Sequence, residues 1–384
     1  MNIELSIVMP CLNEAETLAT CIKKAQQFLQ SNNVIGEIII ADNGSTDESI
    51  AIANNLNVKV VPVKEKGYGS ALQGGIHAAL GKYIIMADAD DSYDFSNLMP
   101  FLTQLRAGYD LVIGNRFKGG IQKGAMPFLH KYLGNPVLSF IGRLFYKIKI
   151  GDFHCGLRGF SKSAYLKMEL TTPGMEFASE MIVKSQLKGL SITEVPTQLF
   201  PDGRSRKPHL NTWKDGWRHL RFLSFYSPKW LFLYPAALLI IIGLLSSVRL
   251  VIRPLHINNI TFDIHSLLYA CSAVLIGFQF FIFYCLTKVY AIENNLLPRT
   301  NRYSKLFKYI NLERGLVLGF AILLCGLFLS FYGLNIWQDT NFGSLEPTKT
   351  LRIVIPAVFT LLLGIQIILF SLFFSILGLK NNSR

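Results

Sequence analysis

Four aspartates fall within seven positions in the stretch IIMADADDSYDF, residues 84–95, directly behind an apolar run. Asp88, Asp90, Asp91 and Asp94 repel one another at neutral pH, so something must supply compensating charge. Side chains alternate along a strand, and at a strand end that lets Asp88 and Asp90 point the same way. Two carboxylates on one side suit a hard divalent cation, and Mg²⁺ or Mn²⁺ also prefers phosphate oxygens. A nucleoside diphosphate with its metal would neutralise the cluster. A calcium loop of the EF-hand kind is excluded, since it needs Gly and Glu where this stretch has Tyr93 and Met99. Asp91 and Asp94 read more plainly as solvated or capping residues of a loop.

The elements that would hold these aspartates alternate strand and helix patterns over the first 120 residues, as in a doubly wound α/β sheet. Strands are expected at 5–9, 37–41, 58–63, 82–87 and 111–113. Leu18, Cys21, Ile22, Ala25, Phe28 and Leu29 recur at helical spacing. Ser45 and Glu48 form an S-x-x-E capping box that would start the next helix. Further on, 180–187 reads as a helix and 191–195 as a strand. Such sheets bind ligands at the carboxyl ends of their strands. PCLNE, DNGSTD, KGYG and DADD all fall at that edge, and their convergence carries more weight than any one of them. Asp42 at a strand end can receive base or ribose donors, and Gly67 and Gly69 let the backbone approach phosphate. KGYGSALQGG also half matches G-x-G-x-x-A with Asp88 about 20 residues on, which keeps an NAD-binding oxidoreductase as a rival. That rival leaves DADD and the apolar C-terminal part without a purpose.

Composition separates the 384 residues into two parts. Residues 231–384 hold only five acidic and twelve basic side chains, with apolar windows at 231–252, 266–287, 315–337 and 353–377. A bilayer takes about 20 such residues per helix, so an integral membrane protein with a large head is expected. Positive charge gathers in 288–314 and is scarce in 254–265 and 338–352. The positive-inside rule then puts the head, the middle loop and the C-terminus in the cytoplasm. The opening residues read as a strand and not as a signal peptide. Six cysteines without paired spacing fit a reducing compartment and no zinc site. The net charge of +13 suits anionic lipid headgroups and phosphorylated substrates better than nucleic acid. Residues 211–230 read as an interfacial amphipathic helix, with Trp213, Trp217, Leu220 and Ser224 on one face and Lys214, Arg218 and Arg221 on another.

In order and spacing, SIVMPCLNE, DNGSTD, KGYGSA, DADD and GNRF resemble the GT-A-fold glycosyltransferases of family 2. DFHCGLRGF, GMEFASEM and PDGRSR, followed by membrane helices, are similar to the dolichyl- and polyprenyl-phosphate branch, whose type is the dolichol-phosphate mannosyltransferase. The resemblance implies a Rossmann-like GT-A catalytic domain over 1–210 and an all-α transmembrane domain over 231–384. It implies an inverting transfer of a hexose from a UDP- or GDP-sugar to a polyprenyl phosphate, with Mg²⁺ or Mn²⁺. Pro10, Asn13, Glu14 and Asp42 would hold the nucleoside, with Lys66 and Gly69 near the base or phosphates. Asp88 and Asp90 would handle sugar, diphosphate and metal, and Arg116 would pair with a phosphate. Arg204, Ser205 and Arg206 would close over the diphosphate or the acceptor phosphate. Relatives often read DADLQ, whose Gln helps to hold the metal. Ser92 stands there in this chain, so either Ser92 with water or Asp91 completes the shell. Glu180 matches a recurrent acidic position without an assigned role, and His154 reads as structural. A glycosyltransferase acting on a hydroxyl acceptor is the alternative, and a homo-oligomer is allowed.

Overall fold

The structure, a computed structural model, describes residues 3–205, 212–293, 297 and 311–379. The chain divides into two compact units, Met1–Tyr226 and Ser227–Arg384. The first is built on strands β1 (Leu5–Cys11), β2 (Gly36–Asp42), β3 (Lys59–Pro62), β4 (Tyr83–Met86), β5 (Leu111–Asn115), β6 (Arg158–Ser161) and β7 (Ile192–Pro196). Their order across the sheet is β3-β2-β1-β4-β6-β5-β7. Only β6 runs antiparallel to its neighbours. All five strands expected in the first 120 residues are present, each within two residues at either end.

Helices α1 (Leu18–Ser31), α2 (Ser49–Asn55), α3 (Tyr68–Ala78) and α4 (Met99–Arg106) connect the parallel strands. After them come α5 (Arg116–Gly119), α6 (Asn135–Tyr146), α7 (Lys162–Met168), α8 (Phe177–Leu187) and α9 (Thr212–Phe225). Helices pack on the sheet, so residues 7–9 of β1 and all of β4 are apolar and buried. The apolar stripe of α1 turns Leu18, Cys21, Ile22, Ala25 and Phe28 into the core. The capping box does not form. Helix α2 starts only at Ser49 and has no side-chain cap. Ser45 is used elsewhere, its hydroxyl accepting the Asn13 N–H at 3.0 Å.

Helix α9 packs on α6 and α8, and the Tyr146 hydroxyl donates to the Leu223 carbonyl. Phe222 and Leu223 are buried, while Trp213 and Trp217 are 77% and 62% exposed. Helix α6 and the turn before it likewise leave Phe128, Tyr132 and Phe140 exposed.

The second unit contains α10 (Tyr234–Ile252), a small hairpin of β8 (Leu255–Ile257) and β9 (Ile260–Phe262), α11 (Ile264–Glu293), α12 (Leu312–Asp339) and α13 (Pro347–Leu379). Four helical stretches, Lys229–Ile252, Ile264–Glu293, Leu312–Asp339 and Pro347–Leu377, are long and apolar enough to cross a membrane. Each contains one of the expected spans. Helices α12 and α13 meet at small residues, with Gly319 facing the Gly364 carbonyl. Such positions let two backbones approach where no hydrophobic force drives association.

Candidate active site

The motifs expected at one sheet edge are joined there by hydrogen bonds. Asn13 follows β1, and its side-chain Oδ1 accepts the Thr46 N–H at 2.7 Å. Glu14 N–H donates to Ser49 Oγ at 2.9 Å, so PCLNE and DNGSTD form one wall. The Asn43 side chain accepts the Gly67 N–H at 2.8 Å and donates to the Glu65 and Val63 carbonyls. Lys66 Nζ donates to the Asn43 carbonyl at 2.6 Å. Thr17 Oγ1 reaches the Ala89 carbonyl at 2.7 Å and ties the start of α1 to the acidic loop. Pro10 lies within β1, and Gly69 is buried in the first turn of α3.

Each of the four aspartates has its own compensation. Asp88 neighbours the Tyr68 phenol, which favours its charged form. Burial, and then the Asp90 charge, push its carboxyl up to about 7, against the pull of Tyr68 and Arg204. Gly156 makes room for it, since a Cβ there would come within 2.6 Å of Asp88 Oδ2. Asp90 Oδ1 accepts the Ser92 hydroxyl at 2.6 Å and its N–H at 3.1 Å, an Asx turn. Asp90 Oδ2 meets Arg204 at 2.8 Å. Asp91, at φ 59°, turns away to pair with Lys24 of α1 at 2.7 Å. Asp94 caps the turn through the Ser96 N–H and hydroxyl. Strand β4 ends at Met86, so this turn, and not strand alternation, makes Asp88 and Asp90 neighbours.

Arg204 is delivered by backbone pairing. Phe200 N–H donates to the Ser92 carbonyl and Gly203 N–H to the Asp90 carbonyl, both at 3.0 Å. Its guanidinium then bonds Glu14 at 3.1 Å, Asp90 at 2.8 Å and Asp202 at 2.9 Å. Ser205 bonds Glu16 through its N–H and hydroxyl, each at 2.6 Å. Arg206 lies outside the described residues.

Two expectations about phosphate and nucleoside groups meet a different arrangement. Arg116 does not reach the acidic loop as a free cation. It is buried and forked onto Asp152, Nε at 2.7 Å and Nη2 at 2.9 Å, because GNRF packs against DFHCG beneath the sheet edge. Asp42 is buried, and its oxygens accept the Gly44 and Ser45 N–H groups. Glu180 is fully buried and bonded to Thr171, Thr172 and Lys184. His154 packs edge-on against His219, 4.7 Å between ring centres. Burial first, then His219 and Arg116, hold its pKa well below the ordinary histidine value.

Tyr68, Asn43, Asp152 and Arg158 were not singled out from sequence. Arg158 is wholly buried and donates to the Cys155 and Phe153 carbonyls, each at 2.8 Å, which fixes the loop facing Asp88.

Among the described residues no group of three or more His, Cys, Asp or Glu side chains is arranged to hold a metal ion. Asp88 and Asp90 still fit Mg²⁺ or Mn²⁺, which binds through one or two carboxylates together with substrate phosphates. Positive charge is already drawn to this spot in the form of Arg204.

Residues 6–168 match the model of glycosyl transferase family 2, and residues 285–378 match the family 2 C-terminal transmembrane region. The low-salt glycan biosynthesis hexosyltransferase Agl6 of Haloferax volcanii is 35% identical over 377 residues, 97% of this chain and 89% of that one. The chain belongs to glycosyltransferase family 2. This membrane-bound glycosyltransferase is also 25% identical over 193 residues to the dolichyl-phosphate hexose transferase of the same organism, covering 50% of this chain and 81% of that one. Among solved structures, glucosyl-3-phosphoglycerate synthase from Mycobacterium tuberculosis, in complex with Mn²⁺, UDP and glucosyl-3-phosphoglycerate, is 20% identical. Its TM-score is 0.44, over 58% of this chain and 77% of that chain. Membership of the family sets the oxidoreductase rival aside.

Proposed function

We propose that this glycosyltransferase moves a hexose from a nucleoside-diphosphate sugar to a polyprenyl phosphate, with inversion at the anomeric carbon. One observation carries the reading. Apart from Asp88, the acidic side chains followed along this edge are already bound. Asp42 serves turn N–H groups, Asp91 serves Lys24, Asp152 serves Arg116, and Glu180 serves Thr171, Thr172 and Lys184. His154 is held neutral. That arrangement suits an acceptor that arrives ionised, as a phosphate does, and it suits poorly a hydroxyl that needs a positioned base.

In the reaction an acceptor phosphate oxygen forms a bond to the anomeric carbon. The bond from that carbon to the diphosphate oxygen breaks, and its electron pair leaves with the nucleoside diphosphate. No proton has to move. Asn13, Glu14 and Asp42 shape the nucleoside wall, and the Lys66–Gly69 turn faces the phosphates. Asp88 and Asp90 would hold a divalent cation, which when bound offsets charge growing on the leaving diphosphate. Arg204 and Ser205 follow the phosphates. The lipid chain lies in the bilayer beside the four apolar helices. Helix α9 rests its tryptophans in the interface, and the head faces the cytoplasm.

The test incubates membranes holding the protein with a panel of labelled nucleotide sugars and polyprenyl phosphate. A lipid-linked product that disappears in Asp90→Ala is expected. At saturating donor, Glu180→Gln and His154→Gln keep most of kcat. Equal transfer to a free polyprenol, or loss of kcat in one of these two variants, decides for a hydroxyl acceptor.

A further inference from the structure

Glu180 sits in the first turn of α8 with no exposed surface, in an environment made almost entirely of donors. Its carboxylate accepts the Thr172 N–H at 2.9 Å and the Thr172 hydroxyl at 2.7 Å. It also accepts the Thr171 N–H and hydroxyl, each at 3.1 Å, and pairs with Lys184 at 2.8 Å. Burial alone would raise this carboxyl, but Lys184 and Thr172 outweigh it and hold it below its ordinary range. An ionised group with five donors around it has little left to offer a substrate.

The other side of the Thr171–Gly174 segment shows what the clamp achieves. Its carbonyls point at the start of α3. Pro173 O accepts the Ser70 N–H at 3.2 Å, and Thr172 O accepts Gln73 Nε2 at 3.1 Å. The approach is so close that a Cβ at Gly67 would lie 2.2 Å from Pro173 O. One at Gly69 would lie 2.3 Å from Thr172 O. The segment is therefore held taut, its N–H groups on Glu180 and its carbonyls on α3. Tyr68 stands between those glycines, and its phenol neighbours the Asp88 carboxylate and influences its charge.

We propose that Glu180 is a positioning residue of the donor site, setting the turn that carries Tyr68 and, through Tyr68, the carboxylate of Asp88. The inference rests on the reading of Asp88 as a donor and metal group. Glutamine cannot replace Glu180, because its amide would turn two hydrogens toward N–H donors. Outer-shell partners of metal-binding carboxylates carry about 10-fold or more in affinity when lost.

The experiment titrates full-length protein in detergent with UDP or GDP in the presence of Mn²⁺ and without lipid, alongside KM and kcat for both substrates. Glu180→Gln should weaken nucleotide binding about 10-fold and raise donor KM, with the KM for lipid phosphate unchanged. Thr171→Val/Thr172→Val keeps the volume and the Lys184 pair and removes two hydroxyl bonds. It should move donor affinity the same way by less, and it stands in should Glu180→Gln not fold. Nucleotide affinity unchanged in the variants, with only the melting temperature lowered, would reduce Glu180 to a scaffold residue and overturn the proposal. Loss of kcat at unchanged nucleotide affinity would make it a base and overturn it equally. Wild-type protein that binds neither nucleotide would instead overturn the donor reading, and this inference with it.

Discussion

Asp88 lies among Tyr68, Asp90 and Gly156, and its surroundings oppose a negative charge. Its carboxyl, pushed up to about 7, is partly protonated in neutral solution. A divalent cation selects the ionised form. Mn²⁺–nucleotide binding should therefore release a proton below that pH and tighten as the pH rises from about 6 to about 8. Calorimetry in two buffers of different ionisation enthalpy counts the protons, and equal heats would contradict the assignment. Asp88→Asn should bind weakly and without this pH dependence. Sequence singled out Asp88 and Asp90 because their type and place alone restrict the chemistry. It did not show Arg116 forked onto Asp152, since 36 residues separate the two and pairing of charges is decided by packing. Nor could it choose between Asp91 and Ser92. A left-handed residue at 91 sends that carboxylate to Lys24 and leaves Ser92 folded back on Asp90.

Strands and the core stripe of α1 were readable because burial on a sheet imposes periods of two and 3.6 on the sequence. The capping box failed because the same Ser45 was needed by Asn13 across the edge, a tertiary demand that a local pattern does not record. The exposed aromatic residues of α6 and the turn before it were missed for a related reason, as Phe128, Tyr132 and Phe140 look like core residues in one dimension. Helix α9 was easier, because exposed tryptophans interleaved with cations are unusual on a water-facing helix. Replacing both Trp213 and Trp217 by glutamine should reduce quenching of tryptophan fluorescence by brominated lipids. The same variant should raise the KM for lipid phosphate several-fold while donor KM stays put. Undiminished quenching would mean that the helix faces water.

At the scale of the whole molecule, a catalytic unit and an apolar helical unit meet in the chain at residue 227. Charge asymmetry in the loops predicts their orientation. In vesicles with the outer face exposed and Cys325 replaced by serine, a cysteine introduced at Asn258, in the hairpin after α10, should react with an impermeant maleimide. One introduced at Lys123 of the head should react only after the membrane is opened. The reverse pattern would invert the topology. The pairing of Arg204 with Glu14, Asp90 and Asp202 has its own effect on how the enzyme meets its substrates. One guanidinium set among three carboxylates offsets only part of their charge, so the pocket still favours a further cation. On the proposed donor reading, the diphosphate would compete with Glu14, Asp90 and Asp202 for this guanidinium, and a divalent cation would take its place beside Asp90. Loading would then be an exchange of one cation for another at Asp90, and Arg204→Ala should let Mn²⁺ bind more readily in the absence of nucleotide.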